Sequence, residues 1–196
     1  AGWDNAPMIA WGPARWRTRF RACSTREGLV VRFDCTDEAP WSTLTARDAC
    51  LWEEEVVEIF VDPTRTGRNY VEVEISPANV LCDLRIRDPW PNLSGDITWN
   101  VAGLESRVRP WRGDDSGPDG WTAVALMPWN GILAAQGADA PYTAPLSGDR
   151  WRFNVFRIKR PGGPEDRERG AIYAAWSVPH EPSFHAPAAF GDMVFS

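Results

Sequence analysis

Trp52-Glu53-Glu54-Glu55-Val56-Val57-Glu58-Ile59-Phe60-Val61-Asp62-Pro63 is the stretch from which the fold of this chain can be read. Val57, Ile59 and Val61 share one parity, and Glu54, Val56, Glu58 and Phe60 share the other, with Trp52 in the same row if the strand extends that far. Successive side chains of a strand point to opposite faces, so this alternation predicts a strand over Glu54–Asp62 with one apolar face. Asn69–Ser76 repeats the pattern, with Val71, Val73 and Ile75 on one side and Tyr70, Glu72 and Glu74 on the other. Val80–Arg87 is expected to turn Leu84 and Ile86 inward and Arg85 and Arg87 outward. Paired in order, the three strands would bury Val57, Ile59, Val61, Val71, Val73, Ile75, Leu84 and Ile86 in one core. The opposite face would be a field of Glu and Arg beside aromatics, open to cross-strand ion pairing or to a polyhydroxylated ligand.

The rest of the chain has the same character. Strands are predicted over Gly28–Cys35, Thr98–Val108, Gly120–Met127, Arg150–Lys159, Ala171–Trp176 and Gly191–Phe195, with one short helix within Pro128–Gln136. The 17 Pro and 16 Gly punctuate nearly every apolar segment, and no helical period with caps exceeds two turns. Short strands at this spacing predict an all-β fold, a sandwich of antiparallel sheets with at most short helices. The polar, Gly/Pro-rich runs Arg112–Asp119 and Pro161–Gly170 read as loops. The 196 residues suit one domain over 1–196, and with 43% apolar residues they can build a packed core.

Charge and motif content exclude several classes. The 27 acids against 21 bases give a formal charge of −6, opposite to the balance of a general nucleic-acid binder. No apolar run approaches the roughly 20 residues of a membrane helix. Residues 1–13 show no basic start or apolar stretch of signal type. Cys23, Cys35, Cys50 and Cys82 are too scattered for a zinc site. They allow two disulfides in three connectivities, or free thiols, which is the favoured reading. Twelve Trp exceed what a core of this size usually takes, so some are expected to be exposed as flat binding surfaces.

In order along the chain, several segments resemble the family 9 carbohydrate-binding modules. These are Asp34–Asp37 after Leu29–Phe33, the Trp52–Pro63 stretch, Asn69–Pro77, Gly120-Trp121-Thr122 leading to Met127-Pro128-Trp129, Trp151–Arg157, Trp176-Ser177, and Phe184-His185-Ala186-Pro187 with Phe190-Gly191. The resemblance runs from about residue 28 to the C-terminus. It implies a jelly-roll-type β-sandwich that binds glucan- or xylan-type chain ends without catalysis, as an accessory domain in polysaccharide catabolism. It also implies a secreted or periplasmic setting, and the domain is expected to be monomeric.

The resemblance also implies a site. Trp52 matches the first ring of an aromatic clamp, Glu58 a hydroxyl-binding glutamate, and Phe184 the second ring, a Trp in the best-understood form. Glu72 stands where the family places an arginine and Phe156 where it places an amide; Arg85 or Arg157 could supply a guanidinium from another strand. Rings cover the C–H faces of a pyranose while charged groups take its edge hydroxyls. Structural Ca²⁺ is expected in loops, with Asp37, Glu38 and Asp48 before the Trp52 strand and Asp62 after it as oxygen donors. Two other chemistries make different demands on the residues. A glycoside hydrolase would need paired carboxyls across a cleft. A haem would have only Met8, Met127, Met193, His180 and His185 as ligands, and none is expected.

Overall fold

A computed structural model describes residues 3–113, 119–137 and 143–196, so 114–118 of the expected loop Arg112–Asp119 lie outside the described residues. Its strands are β1 (Ile9–Trp11), β2 (Thr18–Ser24), β3 (Gly28–Thr36), β4 (Val56–Asp62), β5 (Tyr70–Ile75), β6 (Leu81–Asp88), β7 (Ser94–Asp96), β8 (Glu105–Trp111), β9 (Gly120–Pro128), β10 (Arg150–Lys159), β11 (Ile172–Ala175) and β12 (Gly191–Val194). One short helix, α1 (Trp129–Leu133), continues into a 3₁₀ turn over Ala134–Gln136.

The strands form two antiparallel sheets, as the alternation predicts. One sheet has the order β1-β2-β3-β9-β8 and the other β11-β10-β4-β5-β6-β7. The edge of β10 away from β4 is shared: Phe156–Lys159 pair with β11, and Arg150–Phe153 pair with β12. Val57, Ile59, Val61, Val71, Val73 and Ile75 are fully buried between the sheets against Val31, Phe33, Trp121 and Ala123. Apolar burial of this extent is the dominant favourable contribution to the sandwich.

Three features correct the sequence expectation. First, β6 is turned over. Glu72 pairs with Leu84 and Tyr70 with Ile86, and directly opposed residues of an antiparallel pair share a face. Leu84 and Ile86 therefore join a second apolar cluster on the outer face of the seven-stranded sheet, with Val56, Phe60, Phe156 and Ile158. Arg85 and Arg87 lie on the other side of the sheet. A one-residue change of register exchanges the two faces of a strand, and the expected parity was off by that step. Second, β8 begins only at Glu105, and the Thr98–Leu104 part of the expected strand is turn. Third, β1, β2 and β7 were not anticipated. In β2 the signal was present, since Thr18, Phe20 and Ala22 alternate with Arg19 and Arg21.

All four cysteines are free thiols, with Cys35 and Cys82 buried and Cys50 exposed.

Candidate functional site

Part of the second apolar cluster lines the floor of a cavity of about 1170 Å³ on the outer face of the seven-stranded sheet. Floor side chains come from alternate positions of four strands: Ile158 of β10, Glu58 of β4, Glu72 and Glu74 of β5, and Leu84 and Ile86 of β6. Trp52 forms part of one wall. The segment between β11 and β12 supplies another, including Phe184 and His185. Tyr173, about half exposed, lies at the rim with Leu93 and Val178.

Trp52 is not on the strand. Leu51–Glu53 forms a 3₁₀ turn, and β4 starts only at Val56. A regular strand would separate residues 52 and 58 by roughly 20 Å; the turn lets both line one cavity. Arg160 holds this turn in place. Its Nη2 donates to the Trp52 carbonyl at 3.0 Å and its Nε to the Glu54 carbonyl at 3.2 Å. The Glu54 side chain is fully buried. Its carboxylate accepts from the amides of Thr43 at 2.7 Å and Leu44 at 3.2 Å and from two hydroxyls. Those bonds hold its pKa below the ordinary value, against the opposing effect of burial.

Phe184 lies flat on Phe156, ring centroids 4.3 Å apart at 21°. His185 stacks on Phe60 at 4.9 Å, and its Nδ1 is 2.9 Å from the Tyr70 hydroxyl. Burial pushes the imidazole pKa down to about 4, so the ring is neutral at ordinary pH. Its Nε2 is 3.9 Å from Glu72 Oε2.

At the floor, Glu58 and Glu74 are directly opposed across β4 and β5, and Glu72 is two residues from Glu74 on the same face. One carboxylate oxygen from each lies within 4.8 Å of the other two. All three residues are no more than 4% exposed. Glu58 Oε1 and both Glu74 oxygens are buried without a hydrogen-bond partner among the described residues. Burial, and then the neighbouring carboxylates, raise the pKa of Glu58 and Glu74 well above the ordinary value. Burial raises that of Glu72 to about 7.

The other sequence candidates lie elsewhere. Arg85 is on the opposite face of β6, 3.5 Å from Asp96. Arg157 is paired with Val57 in register, so it points between the sheets; it is 2% exposed and bonds Asp37 Oδ2 at 2.6 Å. Neither reaches the cavity, because each has the opposite parity to Glu58's row.

The four calcium candidates are not brought together into any group of three among the described residues. Asp37 is held by Arg157 and by Lys159, whose Nζ is 2.8 Å away and which also pairs with Glu55 at 2.6 Å. Asp62 accepts the backbone N–H groups of Thr64, Arg65 and Gly67 and so closes the turn after β4. Glu38 is exposed beside Arg15, and Asp48 is 3.7 Å from Arg47.

Thus Trp52, Glu58 and Phe184 line one cavity, while Arg85 and Arg157 do not. Sequence reasoning did not select Glu72, Glu74 or Arg160. For the two glutamates the signal was available, since they share Glu58's outward parity.

Solved structures show the same architecture. A candidate carbohydrate-binding protein of Bacteroides uniformis superposes with a TM-score of 0.73 at 16% identity, covering 98% of this chain and 88% of that one. A family 9 carbohydrate-binding module of Caldicellulosiruptor kristjanssonii, solved with cellotriose, gives 0.64 at 14% identity over 98% of this chain and 84% of that one. A glucose complex of a family 9 module from the same organism gives 0.63 at 14% identity, covering 99% and 86%. The fold is that of the family 9 carbohydrate-binding modules. No protein-family model matches the sequence, and no curated protein matches it either.

Proposed function

We propose that this chain is a non-catalytic carbohydrate-binding domain that takes a glucan- or xylan-type oligosaccharide or chain end into the outer-face cavity. The observation that carries this reading is the composition of the cavity: aromatic side chains on the walls, carboxylates on the floor, and space for more than one sugar ring, in a family 9 fold. Trp52, and the Phe184 ring resting on Phe156, offer flat apolar surfaces for the C–H faces of a pyranose. Glu58 and its neighbours offer acceptors for edge hydroxyls. The relatives solved with cellotriose and glucose support this class of ligand.

Hydrolysis is the second reading, because carboxyls with raised pKa are a requirement of glycosidases. The arrangement favours binding. Glu58, Glu72 and Glu74 crowd one patch of the floor on adjacent strands, whereas a glycosidase pair flanks the scissile bond from two sides.

Calorimetry against cellobiose, xylobiose and glucose, with pull-down on cellulose and xylan, tests the proposal. Binding to at least one is expected, with Trp52→Ala weakening it by about tenfold or more as the apolar cover is lost. Glu58→Gln should weaken it less, because the amide keeps one acceptor. Failure to bind every sugar and both polysaccharides would refute the reading.

A further inference from the structure

Among the described residues, the three carboxylates at the cavity floor have no counter-charge, and the reason is structural. The arginines of β6 point to the other side of the sheet. Arg157 and Lys159 are committed to Asp37 and Glu55 between the sheets. Arg160 lines the cavity, but its guanidinium donates to the carbonyls of Trp52, Glu54 and Arg167 and to Glu168. Buried carboxylates in proteins are paired, protonated or bound to a metal. Here three converge with buried oxygens left unpartnered among the described residues.

We propose that Glu58, Glu72 and Glu74 bind a divalent transition-metal ion, Zn²⁺ or Mn²⁺, at the floor of the cavity, with His185 beside Glu72 at the edge of the site. The spacing fits. Metal–oxygen distances of about 2.0–2.4 Å place ligand oxygens of one ion no more than about 4–4.8 Å apart. One oxygen from each glutamate already meets that limit, all three on a rigid two-strand platform. The unpartnered Oε1 of Glu58 and both oxygens of Glu74 are the independent mark of a missing ligand, since each is buried and free to accept a cation.

His185 stands at the edge of this group, next to Glu72, and is not one of the three residues whose ligand atoms lie within 4.8 Å of one another. Nδ1 lies 2.9 Å from the Tyr70 hydroxyl, which can fix the ring and its tautomer by accepting the Nδ1–H bond. Nε2 then faces Glu72 with a free lone pair, 3.9 Å from its oxygen. A neutral imidazole 3.9 Å from one of the carboxylates favours Zn²⁺ or Mn²⁺ over Ca²⁺ or Mg²⁺, which take oxygen donors alone. This site is separate from the loop acids Asp37, Glu38, Asp48 and Asp62. It does not depend on sugar binding, and its test contains no sugar.

The test is calorimetric titration of the chelator-stripped full chain with ZnCl₂, MnCl₂, CaCl₂ and MgCl₂, alongside thermal melts. One site for Zn²⁺ or Mn²⁺ is expected, at micromolar Kd or tighter and at least tenfold tighter than for Ca²⁺ or Mg²⁺. The melting temperature should rise by about 5–10 °C when free metal is a hundredfold above Kd. Glu74→Gln should weaken binding by about a hundredfold, while the metal-free variant melts no lower than the metal-free wild type. If that variant does not fold, Glu58→Gln carries the same test. The proposal is overturned if no ion binds with a Kd below about 1 mM, if the folded variant binds as the wild type does, or if Ca²⁺ or Mg²⁺ binds more tightly than both transition metals.

Discussion

Replacing Glu72 by Gln should stabilise the metal-free protein at high pH and leave it no more stable at low pH. The folded-state pKa of Glu72 is raised from 4.5 to about 7 by burial. A carboxyl shifted upward binds its proton more tightly when folded. Stability is therefore complete below about pH 4.5 and falls as pH rises toward 7, while the unfolded chain ionises and the folded chain does not. The shift from 4.5 to about 7, taken at about 1.4 kcal/mol per pH unit, puts the upper bound near 3.5 kcal/mol above pH 7. The buried amide of Gln forfeits part of this gain, because its N–H donors need partners that the floor supplies only in part. A net gain of about 1–3 kcal/mol raises the melting temperature by roughly 2–10 °C for a chain of this length. Glu58, Glu74 and His185 face the same space, so relieving one charge also eases ionisation of the two remaining carboxyls. Thermal melts with chelator at pH 4 and pH 8 measure the difference. A variant less stable than wild type at pH 8, or shifted equally at both pH values, would refute the reasoning that this carboxyl is buried without compensation.

Arg157→Leu should cost about 3–5 kcal/mol in urea denaturation, because it leaves Asp37 buried with one of its two cations gone; a loss under 1 kcal/mol would contradict this. If folded, the same variant should bind sugar as the wild type does, since Arg157 points away from the cavity. Xylan or cello-oligosaccharide incubated with the protein should release no new reducing ends; steady release abolished by Glu58→Gln would establish hydrolysis. In the native protein a thiol reagent should modify Cys50 readily, while Cys35 and Cys82 react only on unfolding; their burial pushes both thiol pKa values up, that of Cys35 to about 12.

Parity made the sandwich legible. Val57, Ile59 and Val61 with Val71, Val73 and Ile75 declare an apolar face that needs a second sheet, and both strands form where expected. Parity within one strand does not fix its register to the next, which is why β6 was read upside down and Arg85 was placed on the wrong face. Trp52, Glu58 and Phe184 were found through resemblance. Glu72 and Glu74 could have been found through alternation alone, because they stand in the same outward row as Glu58. The role of Arg160 was not legible: its bonds to the 3₁₀ turn and the residue after it span 106 and 108 residues, contacts that only the assembled sheet creates.

The shared edge of β10 bears on how such a site could change. Because β11 and β12 are both anchored to one strand, the segment between them, which carries Phe184 and His185, begins and ends at fixed points a few residues apart along that edge. Its length and composition can be exchanged without altering a single strand pairing of the seven-stranded sheet. Closing a longer loop between fixed ends adds only about 0.6 kcal/mol per doubling of its length. The floor side chains stand on paired strands of the sheet, whereas the segment that walls them in is a loop open to exchange. New ligand preferences are then most accessible to insertion libraries between Ser177 and Phe190, built on an otherwise unaltered scaffold.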